Sequence, residues 1–151
     1  MNRVADYLFV IAVTLWVGAL WAIGFIAAPV LFRELSDHTI AGNLAGAMFA
    51  IVAWVGIGAA AYALIYLFAR EGAQTMKTAV FWLILLMLLL TLAGHFGITP
   101  ILAHLKEAAL PREVMESVLR NRFYAWHGVS GVLYVIQSVL GATLVTQLLK
   151  R

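Results

Sequence analysis

TAVFWLILLMLLLTLAGHFGI, residues 78–98, carries no charged side chain over 21 positions. A helix crossing the hydrocarbon core of a bilayer needs roughly 20 such residues. Backbone groups in lipid must bond within their own segment, so the stretch reads as a membrane-spanning helix. Working outward, the runs 4–31, 40–69 and 123–149 are also long and mainly apolar, with charged breaks between them. The whole chain is 64% apolar and 11% charged over 151 residues, against about one quarter charged in an ordinary soluble domain. Four spans use up almost all of it, leaving no room for a separate water-soluble catalytic domain. The expected fold is therefore all-α, a single domain over 1–151 built as a four-transmembrane-helix up-down bundle.

The breaks refine this picture. RELSDH (33–38) and REGAQTMK (70–77) are short hairpin connections, whereas 99–122 is long. Pro100 is expected to end or kink helix three. Within PREVMESVLRNR (111–122), Val114, Met115, Val118 and Leu119 share one helical face, which predicts a short amphipathic interfacial helix between helices three and four. The first run is too long for a removable signal peptide and leads straight into another span. No internal repeat or low-complexity tract is evident. The ten Lys and Arg divide five and five between the two sides, so the positive-inside rule alone does not orient the chain. The basic, acid-poor termini favour cytoplasmic N- and C-termini in a bacterial inner membrane. The net charge of +3 is spread along the span ends, which excludes a nucleic-acid face and makes the lipid bilayer the principal partner. With no cysteine there is no disulfide, thiolate or sulfur-ligated metal.

Small residues mark close helix contacts in lipid. On helix two, Gly42, Gly46, Ala53, Gly56 and Ala60 fall within roughly 40° of one line, predicting close contacts at Gly46 and Gly56, either inside the bundle or in a homo-oligomer. Tyr7, Thr14, Gly18, Trp21 and Phe25 form a line on helix one that is expected to face inward. Helix four carries the polar line His127, Ser130, Gly131, Tyr134, Ser138 and Gly141, and polar groups at membrane depth turn inward. Helix three has Thr91, His95 and Thr99 on a similar line. His95 and His127 are expected at similar depth, with Arg122 at the mouth and Tyr134 beside them.

Histidines on facing helices can ligate haem iron or another metal, and otherwise pack as a hydrogen-bonded pair. Haem b or a divalent metal are the cofactors such a pair would take. All seven carboxylates lie at span ends or in loops, and there is no nucleotide-binding or hydrolase motif. The primary expectation is a small ligand or cofactor held inside the bundle near His95 and His127. A transporter or channel component working as an oligomer is the alternative, and a haem- or quinone-linked oxidoreductase is a third.

LWVGALWAIGFIAAPVLFREL, followed by AGNLAGAMF and later RFYAWHGVSGVLY, resembles the transmembrane protein 205-like family, in bacteria the domain of unknown function 4149. The likeness rests on Pro29, Leu31, Phe32, Arg33, Gly42, Phe49, Arg122, Phe123 and His127 at their spacing. It implies a small four-helix membrane protein without an agreed activity. A more distant likeness is to copper resistance protein D-like and HemJ-type membrane proteins. Those relatives carry a histidine early in helix one, and this chain has none there.

Overall fold

The structure, a computed structural model, describes residues 3–108 and 117–150, with side chains over 3–105 and 121–150. All regular structure among these residues is helical: α1 (Arg3–Trp21), α2 (Ala28–Glu34), α3 (His38–Glu71), α4 (Ala79–Leu92), α5 (Thr99–Ala108) and α6 (Ser117–Leu148). Joined end to end they make four helices long and apolar enough to cross a membrane, Arg3–Glu34, His38–Lys77, Ala79–Leu105 and Asn121–Leu148. The first half of the expected amphipathic segment, residues 111–116, lies outside those described, and its second half, from Ser117, belongs to α6.

The hairpin connections are short because capping chemistry stops each helix. The Asp37 carboxylate accepts hydrogen bonds from the N–H groups of Thr39 (2.7 Å) and Ile40 (3.3 Å), satisfying the first turn of α3. At its other end Gly72 has φ of 56°, a backbone conformation disfavoured for residues with a Cβ, and the chain passes into one tight turn. Thr78 then caps α4, its hydroxyl accepting from the Phe81 N–H at 3.4 Å and donating to the Thr75 carbonyl at 2.7 Å.

Pro100 does not end helix three. A π-turn at Ala93–Ile98 precedes it and α5 continues beyond it, so the helical path runs on to Ala108. Pro29 has the same setting, with a π-turn at Ala22–Ala27 leading into α2. Proline lacks an N–H, and its ring crowds the carbonyl four residues back. The wider turn carries the backbone past that carbonyl: Ala28 donates to Ile23 and Thr99 to Gly94, each five residues back. The Thr99 hydroxyl also bonds the Gly94 carbonyl at 3.0 Å, which keeps a backbone acceptor satisfied within lipid.

Successive spans pack side by side, and α6 returns to α1 to close the group. The buried core joins Val13, Trp16 and Leu20 to Ala60, Ala63 and Leu67 of α3, Ile84 and Met87 of α4, and Leu144 of α6. On α3 the buried line is Ala41, Ala45, Val52, Gly56, Ala59, Ala60, Ala63 and Leu67. That line is rotated by about 60° from the one drawn through the glycines. Gly56 lies on it, and a Cβ there would run into the Trp16 indole, with Cδ1 and Cε2 at 3.0 Å. Gly46 sits on the exposed side with nothing within 4 Å of such a Cβ, and Gly42 meets only the Phe32 ring, at 3.9 Å.

Helix one departs from expectation in phase. Tyr7, Thr14, Gly18, Trp21 and Phe25 are exposed, and Phe9, Val13, Trp16, Val17 and Leu20 are buried instead. Both lines share the helical period, and lipid accepts an outward aromatic as readily as a core does. Periodicity thus sets the spacing of a stripe and leaves its phase open in a span apolar on every side.

Candidate functional site

The fourth span is where polar groups enter the bundle. Its Tyr134 hydroxyl donates to the Leu20 carbonyl of α1, and the Trp21 indole N–H donates back to the Ser138 carbonyl at 3.2 Å. Ser138 is buried, its hydroxyl donating to the Tyr134 carbonyl at 2.9 Å. The Tyr134 ring also packs edge-on against Phe49 (5.1 Å) and Phe25 (6.4 Å). It lies so close to the first π-turn that a Cβ on Gly24 would fall 2.9 Å from its Oη. Glycine is required there by close approach alone.

One turn further along α6, the Gln137 amide is buried and donates to the Thr91 hydroxyl at 2.6 Å and the Met87 carbonyl at 3.4 Å. Thr91 itself donates to Met87 at 2.8 Å. Of the lines expected to face inward, Thr91, Ser130, Tyr134, Ser138 and Gly141 are at least half-buried, whereas Thr99 and Gly131 are exposed; Gln137 was not among them. The signal was available, since an amide in the middle of an apolar span is costly unless bonded. Sequence reading also passed over a cluster joining the first two spans near the termini. There the Tyr66 hydroxyl donates to the Asp6 carboxylate, Arg70 donates to Tyr66 at 2.6 Å and pairs with Asp6 at 3.4 Å, and Tyr62 donates to the Ala5 carbonyl at 3.2 Å.

His95 and His127 have different surroundings. His95 belongs to the second π-turn, half-buried, with Trp54 of α3 edge-on at 5.4 Å and Phe96 at 4.8 Å. Among the described residues neither of its nitrogens has a hydrogen-bond partner. About 16 Å of helix separate His95 from Lys106, so the imidazole lies well inside the span and not at its end. His127 is exposed and stacks on Phe123 at 6.0 Å, and Arg122 is exposed one turn away.

The Gln137–Thr91 bond is a common reference height for α4 and α6. His95 is four residues from Thr91 and His127 ten from Gln137, about 6 Å and about 15 Å of helix, so the two rings differ in height by about 9 Å or more. A haem gripped by both would need them level and facing, and a divalent metal would need further ligands. Among the described residues no three His, Asp or Glu side chains gather as a metal-holding group. The pair therefore fits neither the two axial positions of one haem b nor a chelated metal. What the arrangement offers is hydrogen bonding from one imidazole beside aromatic surface.

No curated protein matches the chain, and no solved structure does. A family model does match, over residues 11–111, which take in most of the first span, all of the second and third, and both π-turns but not α6. With about two thirds of its length covered, the chain belongs to the family described as Domain of unknown function (DUF4149).

Proposed function

We propose that the protein is a multi-pass bacterial inner-membrane bundle, up-down in topology with cytoplasmic termini, that binds a small bilayer-dissolved ligand at His95. The observation that carries this reading is the half-buried imidazole inside a span, unpartnered among the described residues, in a π-turn. Intramembrane ionisable groups are costly and are kept where they serve a site, and π-turns frequently occur at such sites. Trp54 and Phe96 supply apolar walls. The chemistry that matches is a flat molecule with a carbonyl to accept from the ring N–H, the quinone class being the simplest example. Tyr134 comes to about the height of His95 in an up-down bundle, with His127 and Arg122 toward the mouth.

The up-down reading is supported by contacts between opposite ends of neighbouring spans. Asp6 meets Tyr66, Phe68 meets Phe81, and Gln137 meets Thr91 while Gly141 approaches Met87. Single cysteines, introduced singly into this cysteine-free chain, are expected to label from the cytoplasmic side at the 72–77 turn and from the other side at Ser36. Labelling of both from one side would reject the topology.

Ligand binding is tested by titrating a short-chain ubiquinone into detergent-purified protein and following tryptophan emission. Saturable quenching is expected, with affinity reduced about tenfold in His95→Ala, the effect of one lost hydrogen bond to a buried group. Quenching that rises linearly and equally in both proteins would reduce the effect to partition into the micelle and overturn the reading.

A further inference from the structure

The two π-turns recur at equivalent places. Aligning residues 22–35 with 93–106, a spacing of 71, superposes Ala22 on Ala93, Phe25 on Phe96, Pro29 on Pro100 and Leu31 on Leu102. In both spans the π-turn lies two to seven residues before the proline, and a short helix, α2 or α5, follows it.

Against these turns, the polar bonds from α6 fall on one side only. On the first span they reach Leu20 and Trp21, immediately before the turn at Ala22; on the third they reach Met87 and Thr91, in the last two turns before Ala93. Among the described residues no side-chain hydrogen bond from α6 reaches α2 or α5, although α5 packs beside α6 and α2 beside α3. The largest fully buried side chains divide the same way, with Val13, Trp16, Ile84 and Met87 all preceding the turns. Beyond them, among the described residues of α2 and α5 only Ala28 is buried, with Ala41 and Ala45 on the neighbouring α3, and Val30, Phe32 and Ile101 are exposed.

We propose that the two π-turn–proline elements are paired hinges. About them α2, and α5 with the part of α6 packed beside it, swing relative to the part of the bundle that precedes the turns, opening and closing the end that holds His95. π-turns and prolines are the sites where helices bend sharply, because the backbone ladder is interrupted there. Clamps just before each interruption give the motion a fixed base, and hinge closure on such elements is a common way to admit and retain a ligand. The hinge proposal goes beyond the ligand reading and stands without it, since its test reads distance and not binding.

The test uses full-length protein in lipid nanodiscs with spin labels on introduced cysteines. One pair, Val30→Cys with Ile101→Cys, lies beyond the turns; the other, Leu15→Cys with Leu86→Cys, lies before them. All four positions are exposed and the members of each pair are 71 residues apart. Pulsed dipolar spectroscopy on frozen samples is expected to give an outer distribution about twice as broad as the inner one, or split in two, as a hinge frozen in several states would. Pro29→Ala with Pro100→Ala is expected to narrow the outer distribution toward the inner width. The inner pair reports whether this variant keeps its fold, and each single proline variant replaces it if the double does not. Equal outer and inner widths in the parent protein would overturn the proposal. So would an outer width unchanged in a folded proline variant.

Discussion

Gly56→Leu is expected to destabilise the bundle by about 3 kcal/mol or more, the upper range for forcing extra volume into a packed core. The side chain would enter space held by the Trp16 indole, which is fully buried in the core. Helix association in lipid depends on packing, so a backbone held away from its neighbour loses much of what holds the spans together. Thermal unfolding in detergent reads the effect. Gly46→Leu is the matched control, being open on its outer side, and its melting point is expected to stay near that of the parent. Trp16→Val combined with Gly56→Leu should recover part of the loss, because the two residues share one contact. Equal melting points for the two leucine variants would remove the Trp16–Gly56 contact from the account of the fold.

Tyr134→Ala is expected to cost nearly as much, about 2–4 kcal/mol, by emptying the space between Phe25 and Phe49 and freeing the Leu20 carbonyl. Tyr134→Phe separates the two contributions. It keeps the ring and removes only the hydroxyl, and interhelical hydrogen bonds in membranes average about 0.6 kcal/mol. The phenylalanine variant should therefore melt only slightly below the parent. A phenylalanine variant as unstable as the alanine one would make the hydrogen bond, and not the packing, the principal restraint on the first π-turn.

Span number and position were legible because the signals are long: some 20 uncharged residues in a row admit few readings. The inward turn of Tyr134, Ser138 and Thr91 was legible for a related reason, since each is polar where lipid offers no partner. Phase was not. On α3, Gly46 and Ala45 are adjacent in sequence, and only the neighbouring helix decides that alanine is buried and glycine exposed. On the first span, Trp16 and Trp21 are the same residue type on different faces of one apolar helix, and nothing local distinguishes the buried one. The depth of His95 was hidden for a different reason. Pro100 looked like a terminus, which put His95 near an end; the π-turn lets the helix continue and carries His95 inside. The recurrence at Pro29 and Pro100 was hidden because it shows in backbone hydrogen bonding more than in residue identity.

The bonds joining Leu20 to Tyr134 and Trp21 to Ser138 link residues 114 and 117 apart in the chain. A ribosome adding about 5–20 residues per second needs roughly 6–23 seconds to travel that far. During this time the first span is already threaded into the membrane, with its Trp21 indole and the backbone at Leu20 lacking their partners. The first three spans thus wait as an open-sided group until α6 is made and shuts it. Completion of this group therefore waits on the synthesis of α6, and a chain cut short before residue 134 would lack both fastenings however completely its earlier helices had formed.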